Sequence, residues 1–310
     1  MKIALLFAGQ GAQSVGMGRE LATQSAAARE VFERADETLG RSLSELAWNG
    51  PLEELTKTSN CQPALYVHGL ACLAALREHA GDFAIEAAAG LSLGEWTAHA
   101  AAQTFDFATG LTLVEQRGRF MEEACDATAG AMAAMIGADE TAVRQLAADT
   151  DVDVANLNAP GQIVISGEAA KVELAVSLAK EHGIRRATLL NVAGAYHSRL
   201  MNSAFVKMGD ALVDAQLQLP RFPVVSNVTG AVVETLPEIR QTLRDQITGT
   251  VRWTDCMETL LARGCDLFIE LGPGGVLAGL MQRIRKGVEV LTVTDPATLE
   301  ACAERIRATS

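Results

Sequence analysis

The pentapeptide Gly90-Leu91-Ser92-Leu93-Gly94 is the feature that most restricts the folds open to this chain. The apolar residues 84–89 before it predict a strand, and residues 95–100 after it predict a helix. A serine held between glycines at a sharp strand-to-helix turn is typical of a nucleophile elbow, where the hydroxyl stands above a sheet beside helix N-terminal amides. The alternative is an ordinary glycine turn. The strand and helix on either side favour the elbow.

Short apolar runs, such as 3–8 and 267–271, alternate with helical stretches along the 310 residues. This alternation predicts an α/β fold with a mostly parallel sheet covered by helices, and the length suits one large domain with an insert. Within 127–193 the pattern predicts a small ferredoxin-like subdomain, because its order is βαββαβ. The remaining residues, 1–126 and 194–310, would form the large subdomain. The insert's predicted elements are strand 131–136, helix 139–148, strands 152–155 and 163–166 around a turn at 158–161, helix 168–182 and strand 186–192.

A serine nucleophile needs a base, and the chain has five histidines. His99 is on the same predicted helix as Ser92, about 10 Å along its axis and beyond hydrogen-bond reach. Three others lie in or at the end of helical stretches and are expected to be structural or exposed, namely His68, His79 and His182. His197 lies in a loop after a predicted strand, where catalytic groups are often displayed. Elimination therefore favours His197, although a structural role is the commoner one for any single histidine.

Arg117 lies on the apolar face of a helix predicted over 107–127. Its neighbours three and four residues away are all apolar: Leu113, Val114, Phe120 and Met121. Arg119, two residues on, is instead flanked by glutamates and belongs to the solvated face. A buried arginine is costly without an anion beside it. The pattern predicts either an internal carboxylate partner or a socket that binds a ligand carboxylate bidentately.

Composition excludes several functions. The net charge is −12, from 26 basic and 38 acidic residues, and aromatic residues make up only 5%. The charge argues against nucleic-acid or anionic-membrane binding, and the low aromatic content argues against base-stacking surfaces. Six cysteines without a CxxC pair predict reduced thiols and a cytoplasmic location, and no metal-binding spacing is present. The loop Gly9-Gln10-Gly11 after the first strand could present an amide to an oxyanion, or it could be a plain tight turn.

Several motifs recur in one order along the chain: FAGQGAQ at 7–13, QPALY at 62–66, GLSLGE at 90–95, QRGRFM at 116–121, GAMAAMIG at 130–137, ANLNAPGQIVISG at 155–167, GAYHSRLM at 194–201, PVVSNVTG at 223–230, DQI at 245–247, VRW at 251–253 and IELGPGGVL at 269–277. In this order the sequence resembles the malonyl-CoA:acyl carrier protein transacylase family of fatty acid synthesis. The resemblance implies a hydrolase-like α/β body with a ferredoxin-like insert. It also implies malonyl transfer from malonyl-CoA to acyl carrier protein through a malonyl-serine, without a cofactor, a metal, nucleic acid or a membrane.

The resemblance implies a role for each matching residue. Ser92 would be the nucleophile, His197 its base and Arg117 the clamp for the malonyl carboxylate. The amides of Gln10 and Leu93 would form the oxyanion hole, and Met121 would line the substrate site. Gln246 would orient the histidine through its main-chain carbonyl, in a dyad without an acidic third member.

Leu91 departs from the family pattern, which usually has histidine there, so any role of that histidine is dispensable here or activity is lower. A serine esterase or thioesterase is the alternative function, with Asp151 or Asp153 as an acidic triad member. A carrier-binding subunit without activity is a third. Because the chain is acidic, docking of an acidic carrier protein needs a local basic patch. Two basic clusters are candidates, one at Lys180, Arg185 and Arg186 and the other at Arg283, Arg285 and Lys286, and ordinary solvated surface is the alternative for either.

Overall fold

Two separate β-sheets organise the protein. The computed structural model describes residues 1–308, so Thr309 and Ser310, at the end of the predicted large subdomain, lie outside the described residues. The strands are β1 (Ile3–Phe7), β2 (Ile85–Gly90), β3 (Gly130–Ile136), β4 (Asp153–Ala159), β5 (Gln162–Glu168), β6 (Arg186–Leu189), β7 (Leu267–Leu271) and β8 (Glu289–Val293).

Helices surround and connect these strands. They are α1 (Arg19–Gln24), α2 (Ala26–Leu39), α3 (Leu43–Asn49), α4 (Leu52–Thr56), α5 (Thr58–Ala80), α6 (Leu93–Ala101), α7 (Phe107–Asp126), α8 (Glu140–Asp149), α9 (Ala169–Leu178), α10 (Asn202–Asp214), α11 (Leu236–Asp245), α12 (Trp253–Ala262), α13 (Val276–Ile284) and α14 (Pro296–Arg307). None of the helices in the described part of the chain is both long and apolar enough to cross a membrane.

The first sheet is entirely parallel, in the order β2-β1-β7-β8. All residues of β1 and β7 are buried, as expected for central strands that are covered by helices on both faces. The carboxyl ends of β1 and β2 are level, with Phe7 opposite Gly90. The loops that follow these two strands therefore leave the sheet side by side. The predicted parallel sheet is confirmed.

The second sheet is antiparallel, in the order β4-β5-β3-β6, and is built from one continuous stretch of chain with α8 and α9 between its strands. Met135, Ile165, Val143 and Val172 belong to a core that is separate from the one under the parallel sheet. The predicted order of strands and helices in this stretch is correct.

Several predicted boundaries in this stretch are wrong. The predicted turn at 158–161 shrinks to two residues, because the β4–β5 ladder continues to the pair Ala159 and Gln162 and Gly161 closes it with φ 73°. The helix predicted to reach His182 ends at Leu178, where the chain turns. The last strand ends at Leu189, three residues early.

The edge of β4 that does not face β5 is hydrogen-bonded to residues 250–251, which lie outside the antiparallel sheet. Leu157 N donates to Val251 O at 2.9 Å, and Val251 N donates to Ala155 O at 2.8 Å. Thr250 Oγ1 also donates to Val154 O at 2.7 Å. Gln246 lies four residues before Thr250. The junction therefore holds the stretch around Gln246 between the two sheets.

Candidate active site

Ser92 lies at a strained turn between β2 and α6, with φ 53° and ψ −106°. The two glycines of the pentapeptide are there because no side chain fits. A Cβ on Gly90 would lie 1.9 Å from Gly94 C, and one on Gly94 would lie 2.1 Å from Phe7 O. The helix is thus packed directly onto the ends of β1 and β2, and a non-glycine residue is held in a positive-φ conformation. This is the geometry of a nucleophile elbow.

His197 and Ser92 are in direct contact, although 105 positions separate them. Ser92 Oγ is 2.7 Å from His197 Nε2, and His197 Nδ1 is 2.8 Å from the main-chain oxygen of Gln246. A carbonyl oxygen only accepts, so Nδ1 carries the proton and Nε2 is free to accept one from the serine. Burial lowers the pKa of His197 to about 4, and the Arg117 guanidinium contributes to the lowering. The imidazole is therefore neutral at pH 7.

Arg117 is buried beside the serine, with only 1% of its surface exposed. Nη1 donates to Gln62 Oε1 at 2.6 Å, and Nη2 donates to Ser92 Oγ and Gln246 Oε1, both at 3.0 Å. Among residues 1–308 no carboxylate oxygen lies within 4 Å of the guanidinium. Of the two alternatives from the sequence, a direct internal carboxylate partner is therefore wrong. Arg119, on the same helix, is exposed and 3.9 Å from Glu123.

Gln62 connects Arg117 to Met121. Its side-chain nitrogen contacts Met121 Sδ at 3.6 Å, while its oxygen accepts from Arg117. Met121 is itself buried and lies one helical turn after Arg117 on α7. Met121 therefore lines the arginine socket and fixes the amide that faces the guanidinium.

Three residues of the site were not identified from the sequence: Gln62, Glu95 and Asn227. All three are fully or almost fully buried polar residues. Asn227 accepts from the Ser92 amide at 2.7 Å and donates to Gly90 O at 2.8 Å, so it holds both arms of the elbow. Each residue lies inside a motif quoted above, which was the available signal. Their convergence depends on strand order, and a single sequence does not give that order.

The amides of Gln10 and Leu93 lie in neighbouring loops, after β1 and after Ser92. Within residues 1–308 neither amide donates to a protein acceptor. Leu93 is the first residue of α6, where an amide has no partner in its own helix. The Gln10 side chain contacts Thr58 Oγ1 and Tyr196 Oη, both at 3.4 Å, so its loop is anchored.

The other candidate groups are engaged elsewhere. His99 pairs with Thr104 at 2.9 Å, and His68 contacts Cys72. Asp151 and Asp153 both bind the Arg199 guanidinium, at 2.6 and 2.8 Å. In the described part of the chain, no three histidine, cysteine, aspartate or glutamate side chains are arranged to hold a metal ion.

A parallel α/β sheet, a serine at a strand-to-helix turn and a neutral imidazole bonded to its hydroxyl define the class of serine-dependent acyl-transfer proteins. Residues 4–299 match the family model described as acyl transferase domain, and the chain belongs to this family.

Curated relatives and solved structures agree with this assignment. The chain is 42% identical to the malonyl CoA-acyl carrier protein transacylase of Bacillus subtilis (strain 168), over 99% of this chain and 98% of the relative. It is similar to the structure of an acyl-carrier-protein-S-malonyltransferase from Bartonella henselae, with a TM-score of 0.94, 39% identity and 99% coverage of both chains. Another similar structure is a type II PKS acyl-carrier protein in complex with its malonyl-transacylase, with a TM-score of 0.93, 37% identity, and 98% and 100% coverage.

Proposed function

We propose that this protein transfers the malonyl group from malonyl-CoA to the phosphopantetheine thiol of an acyl carrier protein through a malonyl-serine intermediate. One observation carries the proposal. A buried arginine, with no direct anionic partner in residues 1–308, lies 3.0 Å from the hydroxyl that would carry the acyl group. Malonyl differs from acetyl by a carboxylate one methylene from the thioester, so a fixed cation at this distance suits malonyl. The names of the relatives and the partner in the similar complex support the same reaction.

His197 is the proposed general base. It takes the Ser92 proton on Nε2 while Oγ attacks the thioester carbonyl, and Gln246 O stabilises the resulting imidazolium through Nδ1. The amides of Gln10 and Leu93 are the proposed donors to the tetrahedral oxyanion, and loss of one such donor costs about 3 kcal/mol in the barrier. When the C–S bond breaks, His197 returns the proton to the CoA sulfur.

The second half-reaction runs the same steps with a different thiol. His197 accepts the proton of the carrier thiol, whose sulfur attacks the malonyl ester. The C–O bond to Ser92 then breaks, and the serine regains a proton from His197. Because water would compete with the thiol, the burial of His197 and Arg117 protects the intermediate.

Arg117 is the proposed carboxylate clamp, with charge-assisted hydrogen bonds worth roughly 1.5–3 kcal/mol each. Gln62, itself in contact with Met121, holds the guanidinium from one side and Gln246 holds it from the other. The clamp is preorganised, so little side-chain entropy is lost when the substrate binds.

We also propose the subdomain division predicted above, with a ferredoxin-like unit at 127–193 inserted in a hydrolase-like body of 1–126 and 194–310. The strand order β4-β5-β3-β6 supports it, because numbered within the unit it is 2-3-1-4, the order of a ferredoxin-like sheet read from one edge. The cytoplasmic location remains a prediction from the cysteine pattern.

The basic cluster at Lys180, Arg185 and Arg186 is the proposed docking patch for the carrier protein. In residues 1–308 no carboxylate lies within 4 Å of these three cations, whereas Arg285 of the other cluster is 2.9 Å from Glu258. Arg186 also begins β6, which leads into the loop of His197. Replacing Arg185 and Arg186 with glutamate should raise KM for the carrier and leave KM for malonyl-CoA unchanged. Charge reversal of Arg283 and Lys286 is the matched control.

The serine hydrolase is not supported, because neither candidate aspartate reaches His197. Asp151 and Asp153 bind Arg199, and a main-chain carbonyl occupies the position an acid would take at His197 Nδ1. Intact-protein mass spectrometry after incubation with malonyl-CoA alone tests the proposal. We expect the mass of one malonyl group on Ser92, none on Ser92→Ala, and its release by a carrier thiol. Steady hydrolysis without an acceptor thiol would support the hydrolase instead.

A further inference from the structure

Glu95 is a buried carboxylate that the reaction described above does not use. It lies three residues after Ser92 on α6 and is 0% exposed. Its Oε2 accepts from Asn227 N at 3.0 Å and from Gln246 Nε2 in a short hydrogen bond. No lysine or arginine nitrogen among residues 1–308 lies within 4 Å of this carboxylate. A carboxylate buried in this way is costly unless it acts on a nearby charge.

The side-chain amide of Gln246 lies between Glu95 and Arg117. Its nitrogen donates to Glu95 Oε2 and to Ser92 O at 2.9 Å. Its oxygen accepts from Arg117 Nη2 and from Trp96 Nε1, both at 3.0 Å. If the amide were flipped, NH₂ would face the guanidinium and the carbonyl oxygen would face the carboxylate, and both contacts would be repulsive. Glu95 therefore specifies which way the Gln246 amide points.

The two charges also act on each other through this amide. Burial lowers the pKa of Arg117 to about 10, and Glu95 opposes that change. Burial raises the pKa of Glu95 to about 7, while hydrogen bonds from Asn227, Gln246 and Ser226 and then the charge of Arg117 oppose the rise. Each charge makes the other less costly to bury, without the direct contact that would occupy the guanidinium.

We propose that Glu95 is a positioning residue for malonyl recognition: it fixes the Gln246 amide, and through it the Arg117 guanidinium, with donors left for the substrate carboxylate. This role rests on the proposed function, because it concerns the clamp for malonyl. A direct Glu95–Arg117 pair would satisfy the same charges but would compete with the substrate. The Gln246 amide is held by Glu95 and in turn holds Arg117, and it keeps the two charged groups apart.

Three variants separate this role from general packing. Glu95→Ala removes the acceptor for Gln246, and Glu95→Asp withdraws it by one methylene, so both should lower kcat/KM for malonyl-CoA by about 10- to 100-fold. Glu95→Gln presents an amide oxygen at the same place and should stay within about threefold of wild type. Transfer from acetyl-CoA, which has no carboxylate for Arg117, should change by less than about fivefold in all three.

Glu270→Gln is the matched control, because Glu270 is also 0% exposed but accepts from Leu277 N and Ala278 N, outside the site. It should leave the malonyl-to-acetyl ratio unchanged. Equal losses for malonyl and acetyl in Glu95→Asp, or a Glu95→Gln as impaired as Glu95→Asp, would overturn the role, and neither comparison needs the alanine variant to fold. A wild-type protein that acquires no malonyl ester on Ser92 would instead refute the proposed function.

Discussion

Replacement of Arg117 by alanine tests the substrate assignment most directly. The guanidinium is 1% exposed and donates to Gln62, Gln246 and Ser92. A malonyl carboxylate in this socket would lose at least one charge-assisted hydrogen bond together with the full cation. We take about 3 kcal/mol for that loss, the upper value for a hydrogen bond to a charged group, which lowers kcat/KM for malonyl-CoA by about 150-fold beyond any loss shared with acetyl-CoA.

Acetyl-CoA has no carboxylate and should be affected far less. Its transfer loses only the hydrogen bond from Arg117 Nη2 to Ser92 Oγ, about 1.5 kcal/mol or about 13-fold. Malonyl transfer loses the same hydrogen bond as well, so the malonyl-to-acetyl ratio should fall by the carboxylate contribution alone, about 150-fold. Arg117→Met, which keeps most of the hydrocarbon volume, should show the same change of ratio with less loss of stability.

The assay is the rate of acyl transfer to a carrier thiol from each acyl-CoA, with wild type, the Arg117 variants and a matched control. Arg119→Ala is that control, since Arg119 lies two residues away on α7 with 60% of its side chain exposed, and both rates should stay within about twofold of wild type. If malonyl and acetyl transfer fall by the same factor in Arg117→Ala, the arginine is structural and the reasoning for malonyl is refuted.

Gly94→Ala should destabilise the fold by about 1–3 kcal/mol in urea unfolding, because the added Cβ meets Phe7 O at 2.1 Å. Gly279→Ala is the control and should not destabilise the fold, because Gly279 lies on α13 with no atom within 4 Å of the new Cβ. Equal free energies of unfolding for the Gly94→Ala and Gly279→Ala variants would contradict the packing argument. Burial lowers the pKa of three histidines to about 4, 3 and 4, namely His68, His99 and His197. At these three sites the unfolded chain binds protons that the folded chain excludes between about pH 6.5 and 4, which lowers stability as pH drops, by up to about 1.4 kcal/mol per unit for each histidine. Glu95, whose pKa burial raises to about 7, acts in the opposite direction and offsets about one histidine, so a net fall in stability is still expected. A urea midpoint that stays constant from pH 7 to 5 would contradict this.

Local patterns in the sequence were enough to predict much of the fold. The apolar runs of β1 and β7, the βαββαβ order and the elbow at Ser92 depend on neighbouring residues, whose spacing fixes strand, turn and helix. Element ends were less accurate. The β4–β5 ladder, for example, extends as far as hydrogen bonds form between strands, and composition does not determine that distance.

The apolar surroundings of Arg117 indicated from the sequence that it is buried, but not what it faces. Its neighbours come from α5, α6 and the end of α11, brought together by the strand order of the parallel sheet and by the junction of β4 with residues 250–251. Gln62, Glu95 and Asn227 show no local pattern, because a buried polar residue is defined by its partners and these lie far away in the chain.

Local sequence patterns therefore predicted the order of strands and helices, the nucleophile turn and the burial of Arg117, since each follows from contacts within a few residues. The packing of distant segments was needed to bring Ser92, His197 and Arg117 into hydrogen-bond contact. It also places the Gln246 carbonyl at the base and the Gln246 amide at the arginine, with Glu95 anchoring that amide. These are contacts between distant segments, and their geometry is fixed by how the sheets and helices pack.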